Sequence, residues 1–136
     1  MSEKIFNSFM ATAGTVITFL IGDFDLALGV LIVFMFLDYA TGLIRAYINK
    51  EISSSIGLKG ITRKGLIFIV LIVAVLLDRL INDSNFVFRT LVSYFYISNE
   101  AISILENAGT LGLPIPDKIK EALAQLKEGQ KKEKIK

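Results

Sequence analysis

Twelve consecutive residues, Leu66 to Leu77, carry no polar side chain. A helix on the surface of a water-soluble protein needs a polar face, and this stretch has none. It belongs to one of four apolar segments, residues 5–21, 26–48, 66–81 and 86–105. Each is about 16–23 residues long, near the roughly 20 that a helix needs to cross a hydrocarbon core of about 30 Å. With 136 residues, 53% of them apolar, and a mean hydropathy of +0.59, the chain has more apolar surface than one small core encloses. The predicted fold class is all-α. It is an integral membrane protein of about four transmembrane helices, followed by a short amphipathic cytoplasmic helix. A soluble bundle with long core helices is the alternative, and the second and third segments lack the polar face that it requires.

The chain contains no cysteine and no histidine. That removes disulfides, thiolate metal sites, cysteine nucleophiles and the commonest general base and metal ligand. No catalytic constellation and no cofactor motif stands out, so the expectation is a protein without enzymatic activity, cofactor or metal.

Segment one, with Lys4 ahead of an apolar stretch, has the layout of a secretory signal peptide. However, its small residues Ala11 and Ala13 lie inside the apolar stretch, and a second hydrophobic segment follows Asp25 at once. A helical hairpin fits better. Charge sets the expected orientation. Only Asp23 and Asp25 lie between segments one and two, whereas Lys50, Lys59, Arg63 and Lys64 lie between two and three. Seven lysines follow segment four, from Lys118 to Lys136. Short Lys/Arg-rich loops stay cytoplasmic, which places both termini inside and the turns at 22–25 and 82–85 outside. Three spans, with segment one lying in the interface, is the other arrangement. No internal repeat is visible.

Residues 1–113 form the expected membrane domain and 114–136 a cytoplasmic extension. Pro114 and Pro116 break the chain, and Ile119, Ala122, Leu123 and Leu126 then recur at helical spacing up to a stop at Gly129. The lysine-rich end reads as a topology anchor drawn to anionic lipid rather than as a nucleic-acid arm.

Polar groups inside the spans are costly and therefore informative. Asp38 carries an insertion cost of roughly 2.5–3.5 kcal/mol at a helix centre. Asp38, Thr41, Gly42 and Arg45 fall on one helical face, and Gly42 with Ala46 is a small-residue pair that lets helices pack closely. This face either packs against a neighbouring helix or meets other subunits and water; Arg45 of another copy is the expected partner for Asp38. Asp78 and Arg89 lie at the outer surface, either paired or, as expected here, snorkelling to the headgroups. In segment four, Arg89, Ser93, Tyr96, Glu100, Ser103 and Asn107 are spaced to share one face, opposite Phe88, Phe95, Ile97, Ile102 and Ile104. The stripe faces the bundle, lines a pore in an oligomer, or lies in the interface. Ser or Tyr hydroxyls are the expected partners of Glu100.

Two stretches and a chain exit also carry a resemblance. They are Asp38-Tyr39-Ala40-Thr41-Gly42 with the Ser-Ser-Ile-Gly-Leu-Lys-Gly loop, the run from Tyr96 to Asn107, and Leu111-Gly112-Leu113-Pro114-Ile115-Pro116. Together, over about residues 15–127, they resemble the phage-lysis and toxin-secretion holin family (phage holin family 4). The resemblance implies a non-enzymatic lysis protein that accumulates in the host cytoplasmic membrane and self-associates. At a set time it opens lesions that collapse the membrane potential and release an endolysin, or a toxin, without binding it. Lipid and further copies of the chain are the implied partners, and nucleic acid is not. The residues alone also fit a small channel or transporter subunit, or a membrane scaffold.

Overall fold

The computed structural model describes residues 1–122 and 124–125. These form α1 (Ser2–Ile21), α2 (Leu26–Ile48), α3 (Ser54–Ile81) and α4 (Val87–Thr110), with no strand among them. Residues 117–122 and 124–125 are helical and exposed, while Leu123, Leu126, Gly129 and residues 130–136 lie outside the described residues.

Local chemistry explains the boundaries. The Asp25 carboxylate accepts the Leu28 N–H at 2.9 Å and caps α2, and Ser53 Oγ accepts the Ile56 N–H at 3.3 Å and caps α3. Asp83 and Ser84 take positive φ in the turn before α4, and Gly112 does so after it, ahead of Pro114. Residues 54–65, whose charges predict a loop, instead form the first three turns of α3. The Ser53 cap starts the helix, and the segment contains no proline. Gly57 and Gly60 lie against Tyr39 of α2, where a Cβ on Gly60 would come within 3.0 Å of the ring. The charges interrupt the apolar run without ending the helix.

α4 packs mainly on α2 and also on α3, while α1 touches α3. Asp25 meets Arg89 at one end and Arg45 meets Asn107 at the other, so α2 and α4 run parallel with α3 antiparallel to both. The core consists of Leu31, Met35 and Ile67, with Phe68, Tyr96 and Ile97 packed against it. Ile97 and Ile102 thus turn into the bundle rather than away from it, because α4 is enclosed by two neighbours instead of one.

The outward surface is apolar. Leu66, Ile69, Val73 and Leu80 of α3 are exposed, and α1 has no buried residue. α1 and α2 are long and apolar enough to cross a membrane. α1 is tied to the rest at its C-terminal end, where Arg79 Nε donates to the Phe19 carbonyl at 3.1 Å and its guanidinium lies 4.8 Å from the centre of the Phe19 ring.

Candidate functional site

The polar residues of the bundle gather in two layers with the apolar core between them. The inner layer joins three helices. Asp38 lies on α2, Glu100 at matching height on the parallel α4, and Lys64 on the antiparallel α3. The Lys64 ammonium donates to Asp38 Oδ2 and to Glu100 Oε2. Glu100 is fully buried, and its Oε1 has no hydrogen-bond partner. Asn107 Nδ2 donates to Thr41 Oγ1 at 3.0 Å and to Asp38 Oδ1 at 3.5 Å, and Asn107 Oδ1 accepts from Arg45 Nη1 at 3.4 Å. Gly42 lies beside this contact, and a Cβ there would sit at ordinary van der Waals distance, 3.7 Å, from Asn107 Nδ2. Ala46, buried one turn further on, continues the close face of α2. Ser103 completes the layer from α4, lining with Asp38 and Lys64 a cleft of about 180 Å³.

Within one chain Lys64 is the ionic partner of both Asp38 and Glu100, where the sequence points to Arg45 of another copy for Asp38 and to a hydroxyl for Glu100. Lys64 stands just before the apolar run, in a stretch whose charges suggest a loop. A signal was present nonetheless. Once α3 is continued backward, Lys64, Ile67, Leu71, Val75 and Asp78 recur at helical spacing, and the four beyond Lys64 are all buried.

The outer layer is built on Asp78 and Arg89. Asp78, fully buried, accepts the backbone N–H groups of Phe88 at 2.9 Å and Arg89 at 2.8 Å, and the Asn82 amide at 2.9 Å. The cap residue Phe86 has no side-chain acceptor, so a carboxylate from α3 caps α4 instead, where the helix dipole also favours negative charge. The Arg89 side chain points the other way. Its Nε donates to the Ile21 carbonyl at 2.7 Å, Nη2 to the Asp23 carbonyl at 2.8 Å and Nη1 to Asp25 Oδ2 at 2.8 Å. Snorkelling is therefore corrected for both residues: Asp78 accepts three hydrogen bonds and the Arg89 side chain donates three, all within the protein. Gly22 permits the clamp. Its φ is +82°, and a Cβ would lie 2.7 Å from Arg89 Nε.

The hydrogen bond from Arg89, and next the Leu28 N–H, hold the Asp25 carboxyl below its ordinary value. A carboxyl lowered by folding contributes stability above the ordinary carboxylate value and loses it as pH falls through the lowered one. The outer clamp is accordingly expected to hold through mild acid and to loosen only below the usual carboxylate range. Proteolysis of the 22–25 turn across an acid titration measures this, and cleavage already rising near neutral pH would contradict it.

Between the layers, Ser93 is buried with its hydroxyl unpartnered, and Tyr96 packs on the core, its ring edge-on to Phe95 at 5.1 Å. The whole stripe of α4, from Arg89 to Asn107, thus lies at the contacts with α2 and α3 or at their margin.

A model of the bacteriophage holin family matches residues 15–128. An uncharacterised 14.9 kDa protein of the nagH 3′ region in Clostridium perfringens is 56% identical over 117 residues, covering 86% of this chain and 89% of that protein. An uncharacterised protein of Clostridium acetobutylicum is 41% identical, covering 81% of this chain and 88% of its own. A probable holin of Bacillus phage phi105 is 38% identical over 96 residues, covering 71% and 70% of the two chains. No solved structure matches.

Proposed function

The chain belongs to the bacteriophage holin family, and from that premise we propose that it self-associates in the bacterial cytoplasmic membrane and opens timed lesions there. The observation that carries the reading is a subunit apolar outside and polar along an internal seam, with Lys64 joining Asp38 and Glu100 across three helices. Such a subunit is stable in lipid while closed. Its amphipathic α4 is the wall that a water-filled lesion needs once several copies turn the stripe outward. The closed arrangement is the packed state, and opening exchanges the Lys64 contacts for water. Passage of an endolysin or a toxin then follows from lesion size and needs no binding site.

Induced expression in bacteria is expected to halt growth and dissipate membrane potential, with lysis only when a wall hydrolase is also present. Sustained normal growth with abundant protein in the membrane would overturn the proposal. Release restricted to small ions would favour a channel subunit.

The same reading gives four spans, with both termini and the 49–53 turn cytoplasmic. It is supported by the lysine and arginine asymmetry and by the bonds from Arg89, at the start of α4, to Asp23 and Asp25, which put the 22–25 and 82–86 turns at one end of the bundle. α3, with 28 residues, is about 42 Å long at 1.5 Å per residue, so its basic first turns reach past the hydrocarbon. Single cysteines placed in this cysteine-free chain test the topology. An impermeant reagent is expected to label positions 23 and 84 in intact cells and to leave position 2 unlabelled. Labelling at position 2 would replace four spans by three.

A further inference from the structure

At the inner layer two carboxylates share one ammonium, so with all three groups ionised the cluster carries a formal charge of −1. Of its four carboxylate oxygens, Glu100 Oε1 is buried without a donor. A net charge held among helices in a membrane is expensive, and one proton removes it. The one ammonium bonded to both carboxyls holds them side by side, the arrangement in which two acids share a proton.

Among the described residues no second cation is paired with either carboxylate. From α2 come Arg45, whose guanidinium is turned to Asn107, and the phenol of Tyr39. From α3 comes Arg63, on the rim of the cleft and exposed. α4 adds the neutral Ser103 and Asn107.

Access is one-sided. The cleft of about 180 Å³ reaches Asp38 and Lys64 and is lined toward the α2–α3 turn by Ile56, Gly60 and Arg63. It is polar and roomy enough to admit water. On the far side Leu31, Met35 and Ile67, with Tyr96 against them, separate the cluster from Asp78 and Arg89.

We propose that Asp38, Lys64 and Glu100 form a proton-binding site that exchanges with the side of the membrane bearing the α2–α3 turn, through this cleft, and not with the opposite side. The inference rests on the reading that α2, α3 and α4 span the membrane, and it names a regulator of the opening. With the proton bound the cluster is neutral and α4 stays docked. Transfer of the proton to cleft water leaves two carboxylates competing for one ammonium and favours the parted, hydrated arrangement.

The test uses the full chain in dye-loaded vesicles, its orientation read from a label at Lys50→Cys. Infrared difference spectra are recorded after a pH jump on one side, on vesicles that still hold their dye. Raising pH on the Lys50 side is expected to remove a protonated-carboxyl band; the same jump on the other side leaves it. Glu100→Gln, which keeps the shape and the Lys64–Asp38 pair, is expected to lose the band with helix content unchanged, as is the Asp38→Asn, Glu100→Gln double variant. A spectrum indistinguishable from that of the double variant, or a response to the far side alone, overturns the site. Dye retention separates this from the lesion reading. A titrating band in vesicles that never release a protein-sized dye upholds the proton site and retracts the lesions, whereas release without the band does the reverse.

Discussion

Replacing Lys64 by methionine is expected to bring the onset of lysis forward and to destabilise the closed bundle by about 3–5 kcal/mol, the usual cost of removing one partner from a buried ionic cluster. Methionine preserves most of the side-chain volume, so the effect isolates the ammonium. Asp38 and Glu100 are then two carboxylates facing each other in the bundle with no cation bonded to either. Water must enter or α4 must part from α2 and α3.

The complementary change runs the other way. Glu100→Leu leaves Lys64 and Asp38 as a one-to-one pair and removes the buried oxygen that has no partner. Membrane insertion is expected to be intact or improved, with opening delayed or abolished. Asp38→Asn keeps the polarity and is expected chiefly to shift timing. Lysis onset at matched membrane levels, together with thermal unfolding in detergent, reads all three. If Lys64→Met lyses on schedule with unchanged unfolding, the cluster is not a clamp. If Glu100→Leu does so, the stripe is packing alone and α1 or α2 lines the lesion.

The second large effect is expected at Asp78. Asp78→Ala removes the acceptor of two backbone N–H groups and of the Asn82 amide in one step. The Arg89 N–H is buried and the other two donors are partly so. A buried donor left without an acceptor costs about 1–3 kcal/mol and the partly buried pair adds less, so a loss of about 2–4 kcal/mol in closed-state stability is expected. Asp78→Asn retains one acceptor oxygen and is expected to recover part of it. Arg89→Leu acts on the other half of the layer. It frees the 22–25 turn, while α1 is still held through Arg79 and α4 keeps its cap. The two variants are distinguishable by protease: Asp78→Ala opens the 82–85 turn, and Arg89→Leu opens the 22–25 turn. Identical cleavage patterns would mean that the outer layer acts as one unit rather than as a cap and a clamp.

Much of this protein follows from its sequence. Four helical segments, turns at 22–25 and 82–85, an apolar exterior and a polar face on α4 all come from periodicity and from the cost of charge in lipid. These are properties of one helix at a time. An apolar run does not locate the start of α3, because residues 54–65 are held helical by a serine cap and by glycines fitted against Tyr39. The pairing of charges belonged to the tertiary structure alone. Lys64 meets Asp38 and Glu100 across 26 and 36 residues, and Asp78 serves the backbone of α4 rather than the Arg89 side chain. A helical wheel gives the angle at which a side chain leaves its own axis. Which neighbour waits at that angle, and at what height, depends on how parallel α2 and α4 are set against antiparallel α3, and only their packing decides it.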